Sequence, residues 1–167
     1  FERQSAIAIP VLQAPNPRQV MAAAAARFWP QQSSMIAAVT GTNGKTSTVE
    51  FMRQIWARVN WSAASIGTIG IRGTYTHAPH ANIPQLTTPD SISLQATVAA
   101  IAKQGVTHLA LEASSHGLQQ YRLDGLNIHV AGFTNLSRDH LDHHCDMDDY
   151  FAAKARLFDK VLSEGGS

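Results

Sequence analysis

The sequence predicts an α/β fold, with a mainly parallel sheet and helices packed on its faces. Short apolar runs alternate with stretches whose apolar residues recur at helical spacing, which is typical of parallel sheets joined by helices. A glycine-rich turn lies between the first apolar run and the following helix. The 167 residues, 44% apolar and 15% charged, are enough for one folded domain with a hydrophobic core.

The first half of the chain predicts two helices around a buried strand. Asn16 and Pro17 mark the start of a helix that runs to about Trp29, because asparagine caps helices and proline suits the first helical position. The run 35–40 (MIAAVT) predicts a buried parallel strand. The second helix, within 46–59, is predicted by apolar residues at helical spacing: Val49, Met52, Ile55, Trp56 and Val59.

The second half continues the alternation. Residues 62–71 (SAASIGTIGI) predict either a strand pair or a strand and a turn, and 72–87 are irregular. A helix begins at Thr88-Pro89-Asp90 and closes at Gly105. Two further strands are predicted within 106–114 and 128–135, and a last helix over 147–162, before two glycines.

Composition excludes several classes of protein. The net charge of +1 predicts no general attraction to nucleic acid or to anionic membranes. The single Cys145 excludes an internal disulfide framework and suits a reducing compartment. The run 21–29 (MAAAAARFW) is too short for a membrane span and lacks the flanks of a signal peptide. We expect a cytoplasmic protein.

The segment 39–47 (VTGTNGKTS) predicts a phosphate-binding loop. Gly41 and Gly44 let the backbone wrap closely round an anion, and the helix N-terminus adds positive partial charge. Lys45 can reach the phosphates and the Thr46 hydroxyl can bind Mg²⁺. The usual motif has its first glycine where Val39 stands, so the loop is a shortened variant. A plain glycine-rich turn is the alternative, which the Lys-Thr pair at the helix start disfavours.

Glu112 is a candidate metal ligand. It ends a predicted strand, and a carboxylate at the carboxyl end of a strand beside the loop strand can hold Mg²⁺ directly or through water. The alternative is a carboxylate in solvent. Without the phosphate loop, that alternative would be preferred.

The segment 134–150 is rich in histidine and aspartate. Zinc binding is one interpretation, but the spacing matches no common zinc motif and only one thiol is present. The other interpretation is a polar loop that caps the last helix, with aspartates complementing the helix dipole. We assign that role to His143, His144 and Cys145. His140 lies closest to the strand end and is the better metal candidate.

Lys154 falls on the apolar arc of the last helix, beside residues such as Phe151. An unpaired ammonium is costly to bury. Its stem could pack while its nitrogen reaches water, or it could pair with a carboxylate. A third route is addition of CO₂ to the neutral amine, which makes a carbamate that could face Mg²⁺. The residues alone favour the first two routes.

Five segments together resemble the Mur ligases of peptidoglycan synthesis: GTNGKTS, TTPD, LEASSHGL, FTNLSRDHLDHH and YFAAKARLF. They occur in this order across residues 39–158, which makes the resemblance highly specific. Folylpolyglutamate synthases share the phosphate loop. EASSHGL with TTPD resembles the branch that extends the UDP-N-acetylmuramoyl dipeptide. Leu86 departs from relatives with an asparagine there, so a polar substrate contact is not expected at this position.

The resemblance implies an ATP-dependent amide-bond-forming ligase. It implies that ATP phosphorylates the terminal carboxylate of UDP-MurNAc-L-Ala-D-Glu, and that an amino acid, diaminopimelate or lysine, attacks the acyl phosphate. Lys45, Lys154 and His140 would be catalytic. Lys154 would be carbamylated, which reverses the preference from the residues alone.

The resemblance also implies the ligand sets. The ATP phosphates would lie on Gly41, Thr42, Asn43, Gly44, Lys45, Thr46 and Ser47. Mg²⁺ would be held by Thr46, Glu112, His140 and carbamylated Lys154. The UDP-muramoyl dipeptide would contact Thr87, Thr88, Ser114, Gln120 and Arg122.

The domain organisation follows from the same resemblance. Residues 1–33 are expected to be the tail of an N-terminal UDP-binding domain plus a linker, and 34–167 the first part of a central ATP-binding domain. The C-terminal domain would be absent, so this chain alone is expected not to ligate. We expect a monomer. The other hypotheses are a different phosphate-loop enzyme and a non-enzymatic metal-binding module.

Overall fold

A computed structural model of the chain describes residues 10–75, 86–138 and 143–167. A five-stranded sheet lies at its centre, in the order β3-β2-β4-β1-β5, and is parallel except for the β2–β3 hairpin. The elements in chain order are α1 (Pro17–Phe28), β1 (Met35–Thr40), α2 (Lys45–Arg58), β2 (Ala63–Gly67), β3 (Gly70–Gly73), α3 (Ser91–Lys103), β4 (His108–Glu112), α4 (Ser115–Gln119), β5 (Val130–Phe133) and α5 (Met147–Arg156). A π-helical turn, Leu157–Val161, continues α5.

The register of β1 sets the position of the site. Strand β1 lies between β4 and β5, with Val39 opposite Glu112 and Thr40 opposite Phe133. All three strands run in the same direction, so their carboxyl ends meet at one edge of the sheet. Since β1 is covered on both faces, its sequence reads as a continuous apolar run rather than an alternating one.

Among the described helices, four begin at side-chain caps, and one of these is α4, which Ser114 caps. The Asn16 side chain accepts a hydrogen bond from the Gln19 amide at the start of α1. Asp90 accepts bonds from two amides at the start of α3, and Asp146 accepts one at the start of α5. Such caps satisfy amides that the first helical turn leaves without partners.

The main core lies between one face of the sheet and α3, α4 and α5. Its fully buried side chains come from every layer and include Ile36, Ile66, Leu94, Ile101, Leu109, Leu111, Leu118, Leu123, Ile128 and Leu157. Val39, Val49 and Ala110 form a second, smaller cluster beneath α2. Within the described residues, no helix has both the length and the apolar character that crossing a bilayer requires.

Helix α1 packs on α3, with Ala22 and Ala25 buried. The segment after α1 is also attached to this body, since the Gln32 side chain donates to the Gly125 carbonyl and accepts from the Asn127 amide. The domain boundary near residue 33 stays a prediction.

Most predicted elements are confirmed, and two details that were predicted for the last helix are wrong. The last α-helix ends at Arg156 and continues as a π-helical turn, so one α-helix does not extend to Leu162. Phe151, expected on the buried arc, is 50% exposed. The buried stripe instead comprises Tyr150, Ala153, Lys154 and Leu157, whose spacing of three and four residues places them on one face.

In α2, the predicted apolar face is only partly buried. Val49 is buried, whereas Ile55 and Val59 are exposed. Helical periodicity identified the helix, but it did not identify which apolar residues the sheet covers.

Candidate functional site

The glycine-rich loop forms a tight turn between β1 and α2. Gly44 is the N-cap of α2 in a left-handed conformation (φ 84°), and it has no side chain to cap the helix. The amides of the first turn of α2 therefore remain directed out of the helix N-terminus, where an anion can accept their hydrogen bonds. This geometry fits the phosphate-binding role predicted for residues 41–47.

The segment after β5 braces the loop from the side. The Thr42 amide donates to the Asn135 carbonyl at 2.8 Å, and the Asn43 amide donates to the Asn135 side chain at 3.1 Å. The Thr134 hydroxyl donates to the Asn43 carbonyl at 2.6 Å. A side chain on Gly41 would overlap the Thr134 hydroxyl. The loop is thus held by groups almost a hundred residues later in the chain.

Two lysines converge on one carbonyl of the loop. The Lys45 ammonium donates to the carbonyls of Gly41 and Thr42 at 2.8 and 2.9 Å. The Lys154 nitrogen donates to the same Gly41 carbonyl at 2.8 Å. Both lysine nitrogens therefore lie beside the loop.

Lys154 is buried, with 1% of its surface exposed. Its nitrogen also lies 4.3 Å from the centroid of the Tyr150 ring, in a cation–π arrangement. Because the nitrogen is inside the protein, the interpretation in which it reaches water is wrong for Lys154. Helix α5 carries Lys154 to the loop on its buried stripe.

Glu112 lies at the carboxyl end of β4, next to the loop strand, and is 2% exposed. Its carboxylate accepts hydrogen bonds from the Thr68 amide at 2.9 Å and from the Thr68 hydroxyl at 3.2 Å. The alternative of a carboxylate in solvent is therefore wrong. A buried carboxylate with fixed orientation at this edge is a suitable donor for a divalent cation.

A cleft of about 340 Å³ opens beside this edge. Its lining combines hydroxyl, imidazole and guanidinium groups with one aliphatic side chain: Leu86, Thr87, Thr88, Ser114, Ser115, His116, Arg122, His143 and His144. Four of the five residues predicted to contact the substrate are among them. The fifth, Gln120, does not line the cleft, but its side chain accepts hydrogen bonds from Arg122.

Hydrogen bonds join the predicted substrate residues into one wall. The Thr88 hydroxyl lies 3.0 Å from the Ser114 hydroxyl and donates to the Glu112 carbonyl at 2.8 Å. Arg122 donates to the Thr88 carbonyl at 2.6 Å. Thr87 is linked through its hydroxyl to Thr68, the residue that holds Glu112. The cleft wall and the candidate metal ligand are thus parts of one network.

The electrostatics of the cleft favour an anion. Burial lowers the pKa of Arg122, against the opposing effect of Asp90, and Arg18 lowers it further. Burial also lowers the pKa of His116, and the charges of Arg122, His143, His144 and Arg18 act in the same direction. The part of each shift that comes from neighbouring positive charge is relieved when negative charge enters the cleft.

The histidine-rich segment is described only in part. His140 lies outside the described residues, so its metal role stays a prediction. In the part of the chain that the structure describes, no group of three histidine, cysteine or acidic side chains is arranged to hold a metal ion. His143 and Cys145 are exposed, whereas His144 is 3% exposed and hydrogen-bonded.

Some groups of the site were not predicted from sequence. They are Thr68, which orients Glu112; Asn135, which braces the loop; and Tyr150, whose hydroxyl lies 3.3 Å from the Thr42 hydroxyl. Thr68 follows β2 at the same edge as Glu112, and that placement is the only sequence signal that could have indicated it.

Comparison with known proteins identifies the family of most of the chain. Residues 39–166 match the family model of the Mur ligase middle domain. UDP-N-acetylmuramoyl-L-alanyl-D-glutamate–2,6-diaminopimelate ligases from Bradyrhizobium diazoefficiens and Agrobacterium fabrum are 53% and 51% identical over 160 and 158 residues. These alignments cover 95% and 94% of this chain but only 32% and 31% of the relatives.

Solved structures show the same fold. A UDP-N-acetylmuramoyl-L-alanyl-D-glutamate–2,6-diaminopimelate ligase superposes with a TM-score of 0.73 at 39% identity, covering 87% of this chain and 29% of that one. E. coli FolC superposes with a TM-score of 0.63 at 17% identity, covering 87% of this chain and 40% of FolC. This is a similarity of fold alone. The chain spans about a third of the length of the curated relatives it matches, and it belongs to the Mur ligase family through its middle domain.

Proposed function

We propose that this chain supplies the ATP-binding loop and part of the acceptor cleft of a ligase that adds diaminopimelate to UDP-MurNAc-L-Ala-D-Glu in peptidoglycan synthesis. One observation carries the proposal: the loop with Lys45 and Lys154 lies at the same sheet edge as Glu112, and Glu112 is bonded to the cleft wall. A phosphate donor and a carboxylate acceptor could therefore bind side by side. Diaminopimelate is preferred over lysine because the relatives at 53% and 51% identity are named for it.

The proposed reaction has two steps. A carboxylate oxygen of the dipeptide attacks the γ-phosphorus of ATP, which gives an acyl phosphate and ADP. The amine of diaminopimelate then attacks the acyl carbon and loses a proton, and inorganic phosphate leaves. Both steps develop charge on phosphoryl or acyl oxygens, so the work of the protein is positioning and charge neutralisation.

Each group of the site has a part in this proposal. Lys45 and the amides at the start of α2 neutralise and hold the phosphates. Arg122 and the hydroxyls of Thr88 and Ser114 orient the anionic dipeptide in the cleft. Mg²⁺, when bound, would supply further charge neutralisation, and Thr46, Glu112, His140 and modified Lys154 would hold it.

Carbamylation of Lys154 belongs to the proposal. The amine nitrogen would attack CO₂ and lose a proton, which converts a cation into a carbamate anion. The Lys154 nitrogen is buried and shares the Gly41 carbonyl with the Lys45 nitrogen, at the sheet edge where the metal is proposed to bind. Intact-mass analysis of the full-length protein in bicarbonate tests it, and an unmodified Lys154 with bound nucleotide and Mg²⁺ would contradict it.

The decisive experiment measures ADP release by the full-length protein. Turnover should require the UDP-muramoyl dipeptide, diaminopimelate and Mg²⁺ together. Lys45→Ala should abolish it, while Lys103→Ala, which removes an exposed lysine at the end of α3, should not. The 167-residue chain alone should give no product. ADP release that is independent of the dipeptide would contradict the proposal.

A folylpolyglutamate-type ligase is the second candidate, since E. coli FolC has the same fold. Calorimetric titration separates the two candidates. The proposal requires that the full-length protein bind the UDP-muramoyl dipeptide, whereas binding of a folate in its place would favour the second candidate.

A further inference from the structure

A buried imidazole links α5 to α4 beneath the cleft. His144 Nδ1 lies 3.2 Å from a carboxylate oxygen of Asp149, and its Nε2 lies 3.0 Å from the Ser115 hydroxyl. The His144 side chain is fully buried, whereas that of Asp149 is 38% exposed. Twenty-nine residues separate the serine from the histidine along the chain.

The partners determine which nitrogen carries the proton. The Asp149 carboxylate can only accept, so Nδ1 must donate to it. In the neutral ring, Nε2 is then an acceptor, and the Ser115 hydroxyl donates to it. The Ser115 hydrogen is thereby directed toward His144 and away from other partners. Asp149 also accepts from the Cys145 amide at 3.2 Å, which holds the turn that carries His144.

The network ends at Ser115, which is itself part of the cleft wall. Ser115 is the first residue of α4, and Ser114 is its N-cap, with the Ser114 hydroxyl accepting from the Gly117 amide at 3.0 Å. The Ser114 amide in turn donates to the Thr88 hydroxyl at 3.0 Å. Holding Ser115 in place therefore holds the backbone that presents Ser114 and Thr88 to the cleft.

We propose that Asp149, His144 and Ser115 form a positioning relay that orients the acceptor cleft around Ser114 for the anionic dipeptide. The inference rests on the proposed function. The connectivity resembles that of serine hydrolases, but Ser115 is 5% exposed and sits at a helix start where its hydroxyl is engaged. The relay acts through Ser114 and does not touch the reacting atoms.

The test compares two neighbouring carboxylates of α5 in the full-length ligase. Asp149→Ala breaks the relay, while Asp148→Ala removes an exposed carboxylate from the same helical turn and serves as the matched control. Asp149→Ala and Ser115→Ala should each raise the KM for the UDP-muramoyl dipeptide by about five-fold, the effect of one hydrogen bond. The kcat and the KM for ATP should not change.

The double variant adds a second criterion. Because both single changes disable one relay, Ser115→Ala with Asp149→Ala should raise the KM little more than either alone. Calorimetric titration of the dipeptide should show the same pattern in Kd.

Three outcomes would overturn the relay. The first is an equal KM for the dipeptide in Asp149→Ala and Asp148→Ala, and the second is a lower kcat at unchanged KM in Asp149→Ala or Ser115→Ala. The third is labelling of Ser115 by a fluorophosphonate, which would indicate that Ser115 is a nucleophile. Failure of the unsubstituted enzyme to ligate the dipeptide would instead overturn the proposed function.

Discussion

Replacement of Gly41 by alanine should destabilise the chain through two separable effects. Gly41 has φ 136°, a conformation that residues with a side chain rarely adopt, and this strain costs about 1–2 kcal/mol. The new methyl group would also overlap the Thr134 hydroxyl and lie 3.0 Å from the Asn135 carbonyl, and overpacking of this kind costs about 1–3 kcal/mol.

Together these effects predict a loss of about 3 kcal/mol, which for a chain of this size lowers Tm by about 6–12 °C. Thermal unfolding followed by circular dichroism measures the change. Gly105→Ala is the matched control, since Gly105 has φ 84° but no atom within 4 Å of a new Cβ. It should lower Tm by about 2–8 °C, from the strain of about 1–2 kcal/mol alone.

A double variant tests the steric part directly. Thr134→Ala removes the hydroxyl that the new methyl would overlap, so Gly41→Ala should cost less in that background than in the original chain. If Gly41→Ala costs no more than Gly105→Ala, or if Thr134→Ala does not reduce its cost, then the close approach of the 134–135 segment does not restrict Gly41 and the reasoning is refuted.

Three further predictions concern stability. Arg156 forms a bidentate ion pair with Asp124 at 2.8 and 2.7 Å, with side chains 15% and 16% exposed. Arg156→Ala should lower the free energy of unfolding by about 2 kcal/mol in urea titrations, and Arg156→Lys should lower it by less. Equal losses in the two variants would contradict a role for the bidentate geometry. Leu157 is fully buried, so Leu157→Ala should cost about 2–5 kcal/mol in the same assay, and a cost below 1 kcal/mol would indicate that the site collapses around the cavity. Burial and nearby cations hold the pKa of His116 below its usual 6.5, so the folded chain takes up fewer protons than the unfolded chain as the pH falls through 6.5. Tm should therefore decrease below that pH, and His116→Gln should reduce this decrease in Tm. A steeper decrease in the variant would contradict the direction of the shift.

Local features of the sequence were enough to predict the elements. Asn16 and Asp90 cap helices through contacts within three residues, and β1 is recognisable as an unbroken apolar run. The glycine-rich loop between β1 and α2 was also predictable, because its glycines, Lys45 and Thr46 lie within a few residues of one another. These are short-range effects, so they can be predicted from neighbouring residues in the sequence. The phosphate-binding role of the loop stays a prediction.

The interior of α5 shows where such reasoning stops. Periodicity predicted the helix and placed Lys154 on its apolar side. It did not predict that Phe151 would be exposed or that the Lys154 nitrogen would reach the Gly41 carbonyl, 113 residues earlier. A helical projection shows which residues share a face but not which face the rest of the protein covers.

The sequence by itself determined the alternation of strands and helices, the glycine-rich loop between β1 and α2 and the motifs that assign the chain to its family. Only the tertiary structure decided that Thr68 orients Glu112, that Asn135 braces the loop and that His144 joins Asp149 to Ser115. Each of these contacts bridges separate elements whose meeting depends on strand order and register. Packing of the whole core sets that order, because no local segment contains enough buried surface to specify it.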